Sequence, residues 1–587
     1  MDRNSVIGLS LIALIFLIYI FYFAPDSPPP AQSTANEVVK ADTIRNKNAN
    51  DTTVTRSADS TNILVVDSFE NQDIAVDFNN HGVINSLQLK NYRTYYQKDL
   101  MLVNPGDNHF SLMASIDNKP VDLYQLFYTL SKSTKGDSTV VAYSATIGTA
   151  TITHTYFIPK SGYQIRYALD TKGVTFNTAL TYTWNDNIPL QEKQVEDSRI
   201  RTTTNWYSTE DGFDNISESS LDLENESVTT PIRWASFRQK FFLSAIIADK
   251  PFATGDFSTF ANKADTSHVK EAMMKLTIPS DHVVNKTAGF KYYFGPNDYK
   301  DLGNIADSFE RNVYIGWPPV KWVNQLVIMP IFHLLERIIS NYGVIIMILV
   351  IIIRLLLTPL SYSSYLGMAK MRLLKPELDA IKEKNGDNLA QAQQDQMKLY
   401  KEAGVNPFSG CIPLLLQLPI LLAMFYFFPA SIEFRQQHFL WAEDLSTYDS
   451  ILNLPFTIPG YGDHVSLFVL LMTVSTLVST WQNNQLSAPQ GPMKTVSYIM
   501  PVVFLFILNS FSAALSFYYF VSNMFGFAQQ LVIRRFVDEA KIKTVMEEHK
   551  KKMATGGPST GKKSKFMARI EEAMKAQEEA KKKNPRK

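Results

Sequence analysis

The chain has 587 residues, 45% of them hydrophobic and 19% charged, with a formal net charge of +1. That length argues against one compact core and that composition excludes global disorder. The single cysteine, Cys411, excludes an internal disulfide framework and any multi-cysteine metal site.

A pI near 7.7 and a mean hydropathy of -0.09 look like those of a soluble protein, but both average over unlike blocks. The first block, 6–23, is uncharged and rich in Ile, Leu, Phe and Tyr. Its length as a helix, at about 1.5 Å per residue, matches the hydrocarbon thickness of a bilayer. Tyr22-Phe23-Ala24-Pro25 is a poor cleavage site, so 1–24 is predicted to be an uncleaved anchor and first span rather than a cleaved signal peptide. Residues 25–61, with Pro28-Pro29-Pro30 and then mostly Ser, Thr, Asn, Asp and Lys, form a flexible linker.

From 62 to 310 the pattern changes to short alternating runs such as 74–78, 83–89, 140–147 and 151–158. Val, Ile, Thr, Tyr and Phe fill them, and Asn, Asp, Gly and Pro break them. This predicts a large antiparallel β-sandwich. Residues 318–340 are apolar but interrupted by His333, Glu336 and Arg337. Trp322, Leu326, Met329, Pro330, Phe332, Leu335 and Ile339 can share a helical face, and Trp317 adds an interfacial aromatic. An amphipathic helix on a membrane surface is predicted, against the plainer alternative of a buried soluble helix.

The last third holds the apolar spans. Residues 342–360 carry one charge, Arg354, while 411–429 and 465–481 carry none. The uncharged stretch 495–533 is too long for one crossing and turns at Asn509-Ser510-Phe511-Ser512, giving spans at 496–509 and 513–533. With the anchor, the prediction is a polytopic α-helical bundle of six spans, five of them a core at 341–535, plus the all-β sandwich. Segment 361–407 has seven Lys/Arg, 430–464 only Arg435, and the tail 536–587 is strongly basic. The positive-inside rule then puts 361–407, the tail and the N-terminus on the inner side and the sandwich on the outer side.

Arg354 is the most informative residue. An arginine within a span costs about 2.5–3.5 kcal/mol at mid-membrane on an insertion scale. Snorkelling to headgroups is one way to offset this; facing a wet cavity between helices is the other. Gln417 is the only amide of its span, Thr473, Thr476 and Thr480 form a stripe, and Ser516, Tyr519 and Asn523 form another beside Tyr518 and Ser522. Each stripe alone fits helix packing. Together with a buried arginine they predict a hydrophilic intramembrane groove.

Segment 361–407 reads as a helical hairpin: one helix over 363–384 bent near Pro376, a break at Asn385-Gly386-Asp387-Asn388, and a second helix to Ala403. The tail's lysine clusters suit anionic lipid or ribosomal RNA, and charge alone does not choose. Gly556 to Lys562 imitates a phosphate loop, but Lys563 stands where a metal-binding hydroxyl belongs. No hydrolase or zinc-protease motif is present, so no catalytic residue, metal or cofactor is predicted.

From Arg354 to Ile420 the sequence resembles the YidC/Oxa/Alb family of membrane protein insertases. The residues are Arg354, Pro359, Met368-Ala369-Lys370-Met371, Pro376, Tyr400-Lys401, Asn406-Pro407, Gly410-Cys411, Pro413-Leu414-Leu415, Gln417 and Pro419-Ile420. Asp444-Leu445, Pro501, Tyr518-Tyr519, Ser522-Asn523 and Gln529-Gln530 follow. The anchor and large sandwich resemble the Gram-negative bacterial YidC form. A departure is Ala513-Ala514, where the family commonly has a glycine.

The resemblance implies a non-enzymatic insertase and chaperone of the bacterial inner membrane, with both termini cytoplasmic and the sandwich periplasmic. Its groove would hold Arg354, Gln417, Thr476, Thr480, Ser516, Tyr518, Tyr519 and Asn523. Its cytoplasmic hairpin, with Met368, Lys370, Met371, Pro376 and Tyr400, would recruit or gate. The implied partners are nascent integral membrane proteins, the Sec translocon (SecYEG and SecDF), the ribosome through tail and cytoplasmic loops, and anionic lipids. The rivals are a small-solute or anion transporter using the same arginine, against which the lack of internal repeats speaks, and a sugar-binding sensor, which leaves Arg354 and the hairpin without work.

Overall fold

The computed structural model describes residues 66–554, except 117, 175, 177, 387, 406–411 and 488–491. The predicted anchor 1–24, the linker 25–61, Asn406-Pro407, Cys411 and the tail beyond 554 lie outside these residues. The chain divides into two units: one runs through Tyr314 and includes Ala430–Gln436, the other comprises Ile315–Pro429 and Gln437–Lys587.

The first unit is mostly β-sheet. Its alternation is plain in strand Ala150–Pro159, where every second side chain is buried. A nine-stranded antiparallel sheet runs in the order Gly212–Asn215, Thr203–Ser208, Ile232–Arg238, Phe242–Phe252, Gly289–Pro296, Gln164–Lys172, Ala150–Pro159, Ser138–Ile147, Thr129–Lys135. A six-stranded sheet runs Glu224–Val228, Gly255–Phe260, His268–Ile278, Leu180–Pro189, Asn108–Ile116, Lys119–Asp122. A meander of four strands, Val66–Glu70 to Asp99–Val103, forms a third.

Trp184 of the six-stranded sheet meets Phe237 and Phe294 of the nine-stranded one edge-on, at 5.1 and 5.8 Å between ring centres. Its indole N–H donates to Asn108 Oδ1 at 2.8 Å, so the largest core side chain is also polar-satisfied. The meander joins through Phe78, 4.5 Å from Tyr156. Ala430–Gln436, which the sequence placed in a plain connection, belongs to this unit. Arg435 forms an almost fully buried pair with Glu192 at 2.8 Å, a contact that no local pattern announces.

His154 is fully buried between Tyr167 and Tyr128, its nitrogens 2.7 and 2.8 Å from their hydroxyls. Tyr128 donates its proton to Leu123 O, so it accepts from His154 Nε2, and Nδ1 must accept from Tyr167. Burial pushes the imidazole down to about 3. The folded unit thus binds fewer protons than the unfolded chain below the ordinary histidine value of 6.5. Stability is full above that value and falls with pH toward about 3. At pH 5.5 the loss from this group is about 1.4 kcal/mol. Denaturant titrations of the full chain at pH 7.5 and 5.5, read by tryptophan emission, should show that difference shrink in His154→Gln.

The second unit is helical. Helix α1 (Pro318–Val323), a π-turn (Asn324–Ile328) and α2 (Met329–Glu336) occupy the predicted amphipathic segment. The π-turn shifts the phase, so the face differs from the one expected. Phe332 is buried, whereas Trp322, Leu326, Pro330, Leu334 and Ile338, four residues apart, are exposed. Helix α3 (Tyr342–Leu356) bends by 60° into α4 (Thr358–Leu373), with Pro359 in the first turn of α4. The hairpin therefore begins at Thr358 rather than 363, and its break falls at Leu374 before α5 (Lys375–Asn385). It returns as α6 (Leu389–Glu402).

Helices α7 (Ile412–Ala430), α8 (Leu467–Ser487), α9 (Pro492–Leu508) and α10 (Ala513–Phe536) fall at the other four predicted spans. Among the described residues no single helix is long and apolar enough to cross a membrane, although the bent pair α3–α4 passes that test jointly. The physical reason is visible in α8 and α10, whose apolar faces alternate with Ser, Thr, Asn and Gln. Ala513 and Ala514 are fully buried, and their N–H groups donate to Thr447 O and Leu445 O, so the place where the family commonly has a glycine is closely packed.

Candidate functional site

The site is assembled by helical spacing. On α10, Ser522, Asn523, Gly526, Gln529 and Gln530 recur every three or four residues and therefore share a side. Arg354 reaches that side from the last turn of α3. Its Nε and Nη2 donate to Ser522 Oγ at 3.1 and 2.8 Å. Gln529 Nε2 donates to Arg354 O at 3.2 Å and to Thr358 Oγ1 at 2.8 Å, fixing α10 to the α3–α4 bend. Gly526 faces the guanidinium: a Cβ there would lie 3.4 Å from it, an ordinary contact.

Beside the guanidinium lies a cavity of about 310 Å³. Its polar lining is Arg354, Gln417, Ser479, Gln482, Asn483, Asn523 and Gln530; Leu418, Leu421, Gly526 and Phe527 complete it. Arg354 is held by a neutral hydroxyl, and among the described residues no ion pair offsets its charge. Gln530 Nε2 donates to Asn483 Oδ1 at 3.0 Å, while its buried Oε1 accepts from no described group. A cation in a mostly uncharged polar hollow attracts anionic or hydrogen-bonding groups. Among the described residues no group of three or more His, Cys, Asp or Glu is arranged to hold a metal ion.

The predicted residues separate into three sets. Arg354, Gln417 and Asn523 line the cavity together. Thr476 supports it, accepting from Asn523 Nδ2 at 2.8 Å. Ser516 and Tyr518 are buried and do not line it; Tyr518 packs on Phe428 and lies beside Ser522 and Arg354. Tyr519 donates to Leu421 O at 3.3 Å, and Thr480 is half-buried; neither lines the cavity.

Of the α8 residues, Ser479, Gln482 and Asn483 line the cavity, whereas Thr473, Thr476 and Thr480 do not. Thr473 and Thr476 donate their hydroxyls to the carbonyls of Val469 and Met472, and Thr476 Oγ1 in turn accepts from Asn523 Nδ2. Ser475, which accepts from Asn523 Nδ2 at 3.1 Å, precedes the lining residues Ser479 and Gln482 at a spacing of four and three.

The hairpin residues lie apart from the cavity. Met368, Met371 and Tyr400 pack against a cluster of Tyr365, Leu374, Leu378, Leu399, Ile542 and Met546. Lys370 is in the last turn of α4, and Pro376 is exposed in the first turn of α5. The unexpected participant is α11 (Glu539–Ala554), the start of the tail, which the sequence left as solvated charge. Its Ile542 and Met546 complete the cluster, Arg372 pairs with Glu539, and Lys550 Nζ lies 2.6 Å from both carboxylate oxygens of Glu377.

Residues 334–541 match the model of a family described as the 60Kd inner membrane protein, and residues 68–331 match that of the YidC periplasmic domain. Over 98% of this chain and 99% of its relative, the sequence is 41% identical to the membrane protein insertase YidC of Amoebophilus asiaticus. It is 43% identical to that of Cytophaga hutchinsonii over 99% and 98% of the two chains. A solved structure of an active YidC insertase with its first transmembrane domain matches over 89% of this chain and 98% of that one, at 18% identity and a TM-score of 0.32.

Proposed function

The chain belongs to the YidC family of membrane protein insertases, inner membrane proteins whose role is non-enzymatic, and from that premise we propose that the cavity at Arg354 is the place where it takes up the polar outer segment of a membrane protein being inserted. The single observation that carries this reading is a guanidinium held by a hydroxyl, uncompensated by a described carboxylate, at the wall of a polar cavity. Such a site attracts an acidic or polar segment and shortens the apolar distance it must cross. Arginine presents a planar fork of donors there that lysine lacks. No nucleotide is required, because burying the substrate's own span supplies about 25 cal/mol per Å² of apolar area.

Further parts of the proposal rest on charge and placement. The bundle spans the inner membrane with its basic hairpin and tail in the cytoplasm and the β unit in the periplasm. The hairpin, braced by α11, receives substrates, the basic tail meets ribosomes and anionic lipid, and the Sec translocon hands over longer clients. Thr480, Ser516, Tyr518 and Tyr519 act as packing around the uptake site, not as its lining.

The test is reconstitution. The full chain, alone in vesicles of phosphatidylethanolamine and phosphatidylglycerol, is expected to insert a short single-span protein, read by protease protection. Insertion no better than in empty vesicles would refute the proposal. Uptake of a small anion without insertion would favour a transporter.

A further inference from the structure

Between α7 and α8 the chain forms a feature the insertase reading does not use: a two-stranded ribbon, Leu452–Ile458 with Gly462–Val465. Residues 451–462 contain no Asp, Glu, Lys or Arg. Leu452, Leu454 and Phe456 alternate in sequence with Asn453, Pro455 and Thr457, on a strand whose pairing is irregular between Asn453 and Ile458. Leu452 and Phe456 are 56% and 60% exposed, and Ile451 is 49% exposed, which is unusual for apolar side chains gathered on one small element. In water such a ribbon, open along its edges, would invite aggregation.

The ribbon is not loose. Asn509, fully buried just after α9, donates to Tyr461 O at 2.9 Å and His464 O at 2.8 Å. Asn509 Oδ1 accepts from Ser466 N and its carbonyl lies 3.0 Å from His464 Nε2. These bonds fix the ribbon to one end of α8 and α9. At that end α9 exposes Val502, Val503, Phe504, Phe506 and Ile507, and Tyr461 of the ribbon packs edge-on against Phe506 at 5.5 Å. The exposed apolar surface of the helix thus continues onto the ribbon. Trp441, partly exposed with its indole N–H donating to Asp449 at 2.8 Å, has the amphipathic character of an interfacial anchor.

We propose that the apolar face of ribbon 452–465 lies in the headgroup and acyl boundary of the bilayer, at the end of the bundle opposite the cytoplasmic hairpin. The inference rests on the reading of the bundle as membrane-spanning. The occupant is lipid because the apolar surface is continuous with that of α9, because strand 452–458 is uncharged, and because aromatic groups flank it. Its mechanical consequence is to tie the ends of α8 and α9 to the outer lipid surface.

The full chain carrying Cys411→Ser receives single cysteines in place of Phe456, Thr457 or Phe504, labelled with an environment-sensitive nitrobenzoxadiazole. It is reconstituted into phosphatidylethanolamine–phosphatidylglycerol vesicles with and without doxyl-labelled lipid. The probe at 456 should be quenched by doxyl lipid within about twofold of the probe at 504, and the probe at 457 should stay water-like. Quenching at 504 but not at 456 would overturn the ribbon proposal and leave the membrane reading intact. A blue-shifted but unquenched probe at 456 would mean that protein covers the face, and would also overturn it. Loss of quenching at both 504 and 456 would remove the membrane reading of α9, and the ribbon proposal with it.

Discussion

Arg354→Ala is expected to lower insertion of a substrate with Asp or Glu in its outer segment by about tenfold or more, a loss of about 1.4 kcal/mol or more. A substrate with an uncharged outer segment should fall much less. The reason is that the guanidinium is the only charge among the described residues of the cavity wall, with a neutral hydroxyl as its hydrogen-bond partner. A charge pair at 4 Å is worth about 4 kcal/mol at an effective dielectric near 20, which sets the ceiling. Arg354→Lys should fall between, since it retains the charge but loses the planar fork. Protease protection of paired substrates, differing only in those acidic residues, measures the effect. Equal losses on both would remove the electrostatic role while leaving a structural one.

Gly526→Leu should abolish insertion of both substrates, by more than about tenfold, through a different cause. A Cβ at 526 lies 3.4 Å from the guanidinium, an ordinary contact, so Gly526→Ala should be nearly silent. A leucine side chain extends further, into a cavity of about 310 Å³, and displaces either the arginine or the substrate. Leucine is also a better helix former than glycine, by about 0.8–1.0 kcal/mol on the alanine scale, so loss of activity would not reflect a weakened α10. Thermal unfolding of the purified protein separates the two causes: activity should drop with the midpoint unchanged. Full activity in Gly526→Leu would mean that the cavity is not on the insertion route.

The sequence was most legible where burial repeats at short period. Strand Ala150–Pro159 was read almost to the residue because its alternation is unbroken over ten positions. Arg354 stood out because a charge within an apolar run demands a partner, and Gln417 and Asn523 fall beside it as expected. Less legible were features that depend on where a side chain turns. Thr473 and Thr476 both donate to carbonyls of their own helix, so composition alone could not separate them from the lining residues Ser479 and Gln482. The face of 318–340 was misjudged because one π-turn rotates everything after it, sending Phe332 inward and Leu334 outward. The docking of α11 was hidden because Ile542 and Met546 are sparse among lysines and glutamates, and only a tertiary cluster with Tyr365, Ala369, Leu374, Leu378 and Leu399 gives them a place to bury.

Site-specific photo-crosslinking from the cavity to a nascent single-span protein bears most directly on the central claim. A benzoyl-phenylalanine at Gln417, Gln482 or Asn523 should capture the chain during insertion, while one at Ser516, which is buried and does not line the cavity, should not. Capture from Ser516 with none from the three lining positions would place the substrate elsewhere and contradict the assignment of this cavity.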